Sequence, residues 1–156
     1  MIVYRCNVRS SWIDINGHMS ARRYFEVFSD ASDLAYTDLG LGRSYIETGY
    51  SVFTGDFHIT YVREIPAGGS VTVTTRVLEL DAKRFVMHQE MIDDRDGALA
   101  ATAEQLQLNV SMANRRVEPF PRQAFERLKE VQRIESGKPP RNVGRATSIL
   151  SGAPAR

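Results

Sequence analysis

Residues 14–18, Asp14-Ile15-Asn16-Gly17-His18, put a carboxylate, an amide, a glycine and an imidazole within five positions. An amphipathic segment begins directly after them, with Ser20 in the position of a helix N-cap. The first backbone N–H groups of a helix, here near Ala21, have no intrahelical partner and carry the positive end of the helix dipole. A carbonyl held against them would be polarised and its developing oxyanion stabilised. A carboxylate a few residues upstream, Asp14, could then attack the carbonyl carbon or activate a water to do so. Asp, Asn and Gly in a row are equally the chemistry of a tight turn, with Asp14 as an Asx-turn residue and Gly17 supplying a backbone conformation closed to other residues.

Around this run the residue types leave several roles open. Asn16 could bond the turn or hold an attacking water. His18 could orient Asp14, line a pocket, or be a structural imidazole bonded to a carbonyl. Glu104 is singled out by periodicity, because Ala98, Ala100, Thr102, Glu104, Leu106, Leu108 and Val110 alternate onto one face and Gln105, Gln107 and Asn109 onto the other. A carboxylate then interrupts the apolar face, where an unpartnered charge is costly, unless a bulge carries it to solvent. His58 lies on the opposite parity from Phe57, Ile59 and Tyr61, which suits the surface or a subunit interface, where it could join a pocket between subunits. Three scattered histidines with no close helical pair give no metal site. Lys83 and Arg84 sit in a tight turn, as solvated charges or as a point charge and a guanidinium fork for phosphate. Arg63, Arg115 and Arg116 are weaker candidates for that role.

The elements that must position these groups follow from periodicity. "IVYRCNV" reads as a short first strand. From Ser20 to Leu39, Tyr24, Phe28, Ala31, Leu34 and Ala35 recur at helical spacing, with Phe25 and Val27 widening the apolar side and Gly40 placed to end the helix. "GLGRSYIETGYS" breaks the pattern and reads as a loop. Four strand-like runs follow, 52–63, 70–80, 84–93 and 98–112, joined by "EIPAGG", "DAK" and "DRDG", connections that suit antiparallel hairpins. A second helix is expected over 122–133. Residues 136–156 are rich in Pro, Gly and Ser, and a mobile tail is expected after a domain spanning 1–135.

Composition excludes more than it assigns. A chain of 156 residues with 42% apolar and 25% charged residues fits one ordinary globular domain. Lys138, Arg141, Arg145 and Arg156 meet no acidic residue in the tail, and without them 16 basic stand against 19 acidic residues. An acidic body with a short basic tail is a poor nucleic-acid binder. Cys6 is the single cysteine, so no intrachain disulfide or cysteine metal cluster forms. With no leader pattern at the N-terminus and no membrane-length apolar run, no membrane partner is expected and a cytoplasmic location is.

A first strand, one long helix and four antiparallel strands predict an α+β domain with the sheet wrapped around a central helix, plus a C-terminal helix: the hotdog layout. The string "DINGHM" followed by "ARRYFEVFSDA" resembles the 4-hydroxybenzoyl-CoA thioesterase-like family of hotdog acyl-CoA thioesterases. "FHITYVREIPAGGSVTV", "LDAKRF", "AATAEQLQLNV" and "RRVEPFP" match the same group in order, so the resemblance runs over residues 3–130. It is closest to the thioesterases linked to carnitine and betaine breakdown. The resemblance carries the family's catalytic aspartate onto Asp14 and its polarising helix amide to Ala21. It does not require His18, since many relatives have apolar or aromatic residues there. It implies hydrolysis of an acyl-CoA to an acid and free CoA, with no cofactor beyond water, in a homodimer or dimer of dimers with sites at the interface. Lys83 and Arg84 would then meet CoA phosphates. Trp12, Tyr24, Tyr45, Tyr50 and Phe53 would be core or an aromatic wall for an aryl, fatty or quaternary-ammonium acyl group. The rival reading is a non-catalytic module of the same fold that binds acyl-CoA.

Overall fold

The computed structural model describes residues 2–135 together with 140, 141 and 143. Strand β1 (Ile2–Asn7) and a 3-10 turn (Ser10–Trp12) lead into helix α1 (Ala21–Asp38) and a single helical turn, α2 (Arg43–Glu47). Strands β2 (Tyr50–Tyr61), β3 (Ser70–Leu80), β4 (Arg84–Asp93) and β5 (Ala98–Ser111) follow, and helix α3 (Arg122–Glu135) ends the described fold. The five strands form one antiparallel sheet in the order β1-β3-β4-β5-β2, with α1 across one face. This is the expected hotdog arrangement. Among the described residues no helix is long and apolar enough to cross a membrane.

α1 forms where its apolar stripe demands it. Tyr24, Val27, Phe28, Ala31 and Ala35 are buried at helical spacing. One half of the core joins Val27, Phe28 and Ala31 to Val71, Val73, Met91 and Ala103. The other joins Ala35 and Leu39 to Val77, Phe85, Met87 and Leu128. Leu39 caps the helix, and Gly40 at φ +75° takes the left-handed position that ends it.

Between the two halves lies a buried polar layer that corrects the expected facing of β5. Gln105, Gln107 and Asn109 point toward the helix side, and Glu104 points away. Ser32 Oγ donates to the Phe28 carbonyl at 2.8 Å and accepts from Gln105 Nε2 at 2.9 Å. Gln105 Nε2 also reaches Gln89 Oε1 at 2.7 Å, and the Tyr36 hydroxyl donates to Gln107 Oε1 at 2.8 Å. Alternation could not reveal this, because amides that satisfy one another are tolerated in a core. A register shift between Met91 and Ile92 also breaks the parity: Ala101 stands opposite Met91, but Leu99 opposite Ile92.

One further difference is local. The segment expected as a plain loop contains α2, whose buried Tyr45 donates its hydroxyl to Asn109 Oδ1 at 2.7 Å. This tertiary bond holds a five-residue turn that carries no side-chain cap. The expected mobile tail, 136–156, lies outside the described residues except for three. Of these, Arg141 returns to the outer face of the sheet and pairs with Glu90 on β4.

Candidate functional site

The loop carrying Asp14 is closed at its base by the Ile13–Met19 bridge. The Asp14 backbone N–H donates to the His18 carbonyl at 3.0 Å, and Gly17 N–H to the Asp14 carbonyl at 3.0 Å. Asp14 Oδ1 accepts the Asn16 N–H at 2.8 Å, so the Asx turn exists. The turn engages Oδ1, and Oδ2 is not part of it. Gly17 sits at φ +85° with nothing within 4 Å of where a Cβ would stand, so conformation and not space calls for glycine. The loop is pinned to the β2–β3 connection by Met19 N–H on the Ile65 carbonyl at 2.7 Å and by the His18–Pro66 bridge.

This places Asp14 beside the start of α1. Ser20 is the N-cap residue, as expected, but its side chain makes no capping bond to the first-turn amides. Asp14, His18, Ala21, Tyr24, Tyr61 and Glu64 line one open groove of about 330 Å³, with Arg63 at its rim. The Tyr24 hydroxyl donates to the Arg63 carbonyl and the Tyr61 hydroxyl to the Ala21 carbonyl, both at 3.3 Å. The two rings meet edge to face, centroids 5.2 Å apart. Burial pushes the Tyr24 phenol up to about 12, which keeps it a hydrogen-bond donor. The His18 imidazole is turned to Glu64, Nε2 to Oε2 3.2 Å. A half-buried carboxylate and a helix N-terminus facing one groove are the two parts that addition to a carbonyl needs.

The other candidates lie elsewhere. Asn16 is exposed on the loop, outside the groove lining. Trp12 is half-buried beside the loop, flanked by the Arg9 and Arg23 guanidinium groups at 5.6 and 5.8 Å. Glu104 and His58 are cross-strand partners, in register with His88, on the sheet face away from α1. Glu104 is 5% exposed, so it is buried, but the sheet separates it from the Asp14 groove. Lys83 and Arg84 stand at the far end of β4, roughly 30 Å from the Asp14 end at about 3.3 Å per residue. There Arg84 is bound to Asp81, with Nη2 2.6 Å from Oδ2. Tyr45 and Tyr50 lie at that end too, around a larger hollow of about 570 Å³ that also takes in Arg127. That hollow has more room but no carboxylate, imidazole or thiol in its lining. Among the described residues no three His, Cys, Asp or Glu side chains are placed to hold a metal ion.

Sequence reasoning passed over Tyr61 and Glu64 as groove residues. Tyr61 ends β2 and Glu64 follows it, and both reach Asp14 only through the pairing of 18–19 with 65–66, a contact without a local signature.

The profile of the Thioesterase-like superfamily matches residues 8–132. The chain belongs to this superfamily. Among superfamily relatives, the betainyl-CoA thioesterase of Pseudomonas aeruginosa is 30% identical over 151 residues, covering 96% of this chain and 95% of that one. The L-carnitine dehydrogenase/betainyl-CoA thioesterase of Agrobacterium fabrum is 33% identical over 142 residues, 91% of this chain. The present chain spans only 29% of that longer protein's length. Of solved structures, a hypothetical protein of Staphylococcus aureus in complex with CoA superposes with a TM-score of 0.84 at 28% identity, covering 95% of this chain and 94% of that one.

Proposed function

We propose that this thioesterase-like chain hydrolyses an acyl-CoA to a carboxylic acid and free CoA. The observation that carries the reading is the shared groove of Asp14 and the α1 N-terminus. The thioester carbonyl lies against the amides near Ala21, which stabilise the oxyanion as the carbonyl carbon becomes tetrahedral. Asp14 either adds to that carbon itself or takes a proton from the water that does. The C–S bond then breaks and CoA leaves as thiol, its sulfur taking the proton that Asp14 removed from water. Where Asp14 itself adds, the thiolate takes a proton from water, and a second water hydrolyses the acyl–aspartate anhydride to release the acid and restore the carboxylate. Water is the sole co-reactant, and no cofactor takes part. Tyr24 and Tyr61 form the wall beside the reacting carbon. The names of the Pseudomonas and Agrobacterium relatives make betainyl-CoA the first acyl-CoA to try.

The working unit in this proposal is a homodimer or a dimer of dimers. β2 is an outermost strand of the sheet and leaves its outer edge open to a second copy. Antiparallel pairing of two such edges sets the Tyr50 end of one β2 beside the Tyr61 end of the other. The partner's Lys83 and Arg84, the latter still held by Asp81, then lie at the Asp14 end of the assembly, placed to meet CoA phosphates. In one copy alone they are too far away.

The test is thiol release from betainyl, acetyl, medium-chain and aryl CoA thioesters by wild type and Asp14→Asn. Release by wild type that falls about a thousandfold in the variant, with CoA still bound, supports the reading. Binding without release by folded wild type moves the protein to an acyl-CoA-binding role. A monomeric mass at micromolar concentration would count against the shared site.

A further inference from the structure

Among the described residues, the one guanidinium in the Asp14 groove lining already has its counter-charges. Arg63 Nη1 is 2.5 Å from Asp96 Oδ2, and Nη2 is 3.9 Å from Asp93 Oδ2. Asp93 is in turn held by Arg95 at 2.6 Å. Two cations and two anions balance in this cluster. Among the groove-lining residues the carboxylates of Asp14 and Glu64 then set the sign of the field, moderated by the His18 imidazole. An acyl group ending in a carboxylate is repelled there, and a neutral one gains nothing from the charge. A cationic one is drawn in.

The aromatic wall narrows the kind of cation. Both tyrosine hydroxyls are engaged with backbone carbonyls, so what the pair offers the groove is ring surface. Tyr24 is 3% exposed and locked beneath, whereas Tyr61 is 52% exposed. A quaternary ammonium has no N–H to donate, and it is recognised by aromatic faces and diffuse negative charge, which are what this groove supplies.

Building on the thioester hydrolysis proposed above, we propose that Glu64 and Tyr61 are specificity-determining residues. They select an acyl group that carries a quaternary ammonium next to its carbonyl, Tyr61 by its ring face and Glu64 by its carboxylate. In such a substrate a single methylene separates the cation from the carbon at which Asp14 acts. The cation must therefore sit among the residues around Asp14, and the hollow beside Tyr45 and Arg127 of the same chain, at the other end of the sheet, is too far away to recognise it.

The experiment compares kcat/KM for betainyl-CoA with that for tert-butylacetyl-CoA, the neutral thioester of the same shape, in each variant. Wild type favours betainyl-CoA. Glu64→Gln lowers that preference about fivefold, the scale of one exposed charge pair, through KM for the cationic thioester. Tyr61→Leu lowers it about tenfold, while Tyr61→Phe, which keeps the ring, holds it. Circular dichroism and the urea midpoint of the same preparations report that each variant is folded. A preference that is absent in wild type, or that moves in neither Glu64→Gln nor Tyr61→Leu, overturns the assignment while leaving hydrolysis standing. No thiol release from either thioester by wild type would instead overturn hydrolysis itself, and the assignment with it.

Discussion

The Arg141 guanidinium closes on the Glu90 carboxylate with two donors, Nε at 2.9 Å and Nη2 at 2.6 Å, both to Oε2. The Arg141 backbone N–H completes the grip on Oε1 at 3.0 Å. Glu90 is 7% exposed, so removing the arginine leaves a nearly buried carboxylate short of its donors. Arg141 itself is about half exposed, which discounts the pair. Arg141→Ala is expected to cost about 1–2 kcal/mol, less than a fully buried pair would. Urea unfolding measures it, and a double-mutant cycle with Glu90→Gln isolates the coupling.

The same outer face makes stability depend on pH from the neutral side. His88 Nε2 is 2.9 Å from the Arg141 carbonyl oxygen, so Nε2 holds the proton and the ring is neutral, with Nδ1 buried and without a hydrogen bond. Burial pushes the His88 pKa below its ordinary 6.5, against the pull of the Arg141 carbonyl and of Glu90 and Glu104, with Arg76 acting in the same sense as burial. Below 6.5 the unfolded chain therefore takes up protons that the folded chain refuses, and stability falls as pH drops through that window. His58 on β2, in register through Glu104, belongs to the same charged face. Urea midpoints at about pH 7.5 and about pH 5.5 should differ in wild type, and the difference should shrink in His88→Gln.

A second, acidic limb comes from carboxylates whose sign is opposite. Arg95 holds Asp93 below its ordinary 3.8 against the raising effect of burial. Burial works to raise Glu90, but the Arg141 bonds outweigh it and hold Glu90 below 4.5. Their stabilisation is complete above those ordinary values and is lost as pH falls toward the lowered ones. Arg95→Ala should raise the midpoint pH of acid unfolding, followed by circular dichroism. An unmoved midpoint would mean that Asp93 titrates normally in the fold.

How much of this was legible beforehand depends on whether the cause was local. The strands at 70–80 and 84–93 stand where turn residues bracket them, and α1 lies between Ser20 and Gly40 as expected, although Ser20 makes no side-chain capping bond. The Asp14 loop and its place before α1 were readable for the same reason. The facing of β5 was not, because whether Gln105 or Glu104 meets the helix depends on Ser32 and Gln89, residues of other elements. Polarity was no guide either, since Glu104 and His88 are buried on the outer face as well. Tyr61 and Glu64 joined the groove through a long-range pairing that no spacing announces.

The amide layer beneath α1 should respond to loss of a single hydroxyl. Ser32 Oγ accepts from Gln105 Nε2 and, at 3.3 Å, from Gln89 Nε2. Ser32→Ala leaves both amides a partner short, though each keeps another bond. The expected cost is about 1–2 kcal/mol, because unsatisfied buried donors cost more than the average bond contributes. Replacing Ser32 by Thr restores the hydroxyl but adds a methyl to a close helix–sheet contact, and recovers only part of the loss. Thermal unfolding of the three proteins ranks them.

Gly17 tests whether the turn and the site are one device. At φ +85° a side chain is strained, although there is empty space for it, so the cost of Gly17→Ala is conformational, about 1 kcal/mol. The loop can relieve that strain by swinging the peptides between Asp14 and His18, which would break the Gly17–Asp14 and Asp14–His18 backbone bonds that aim the carboxylate. Activity should then fall further than stability, about a hundredfold for a displacement near 1 Å. Gly17→Asn, which tolerates left-handed backbone better, should fall between Gly17→Ala and wild type. Thiol release and urea unfolding measured on the same three proteins separate the two effects. If activity drops only in proportion to the folded fraction, the turn is scaffolding and does not aim Asp14.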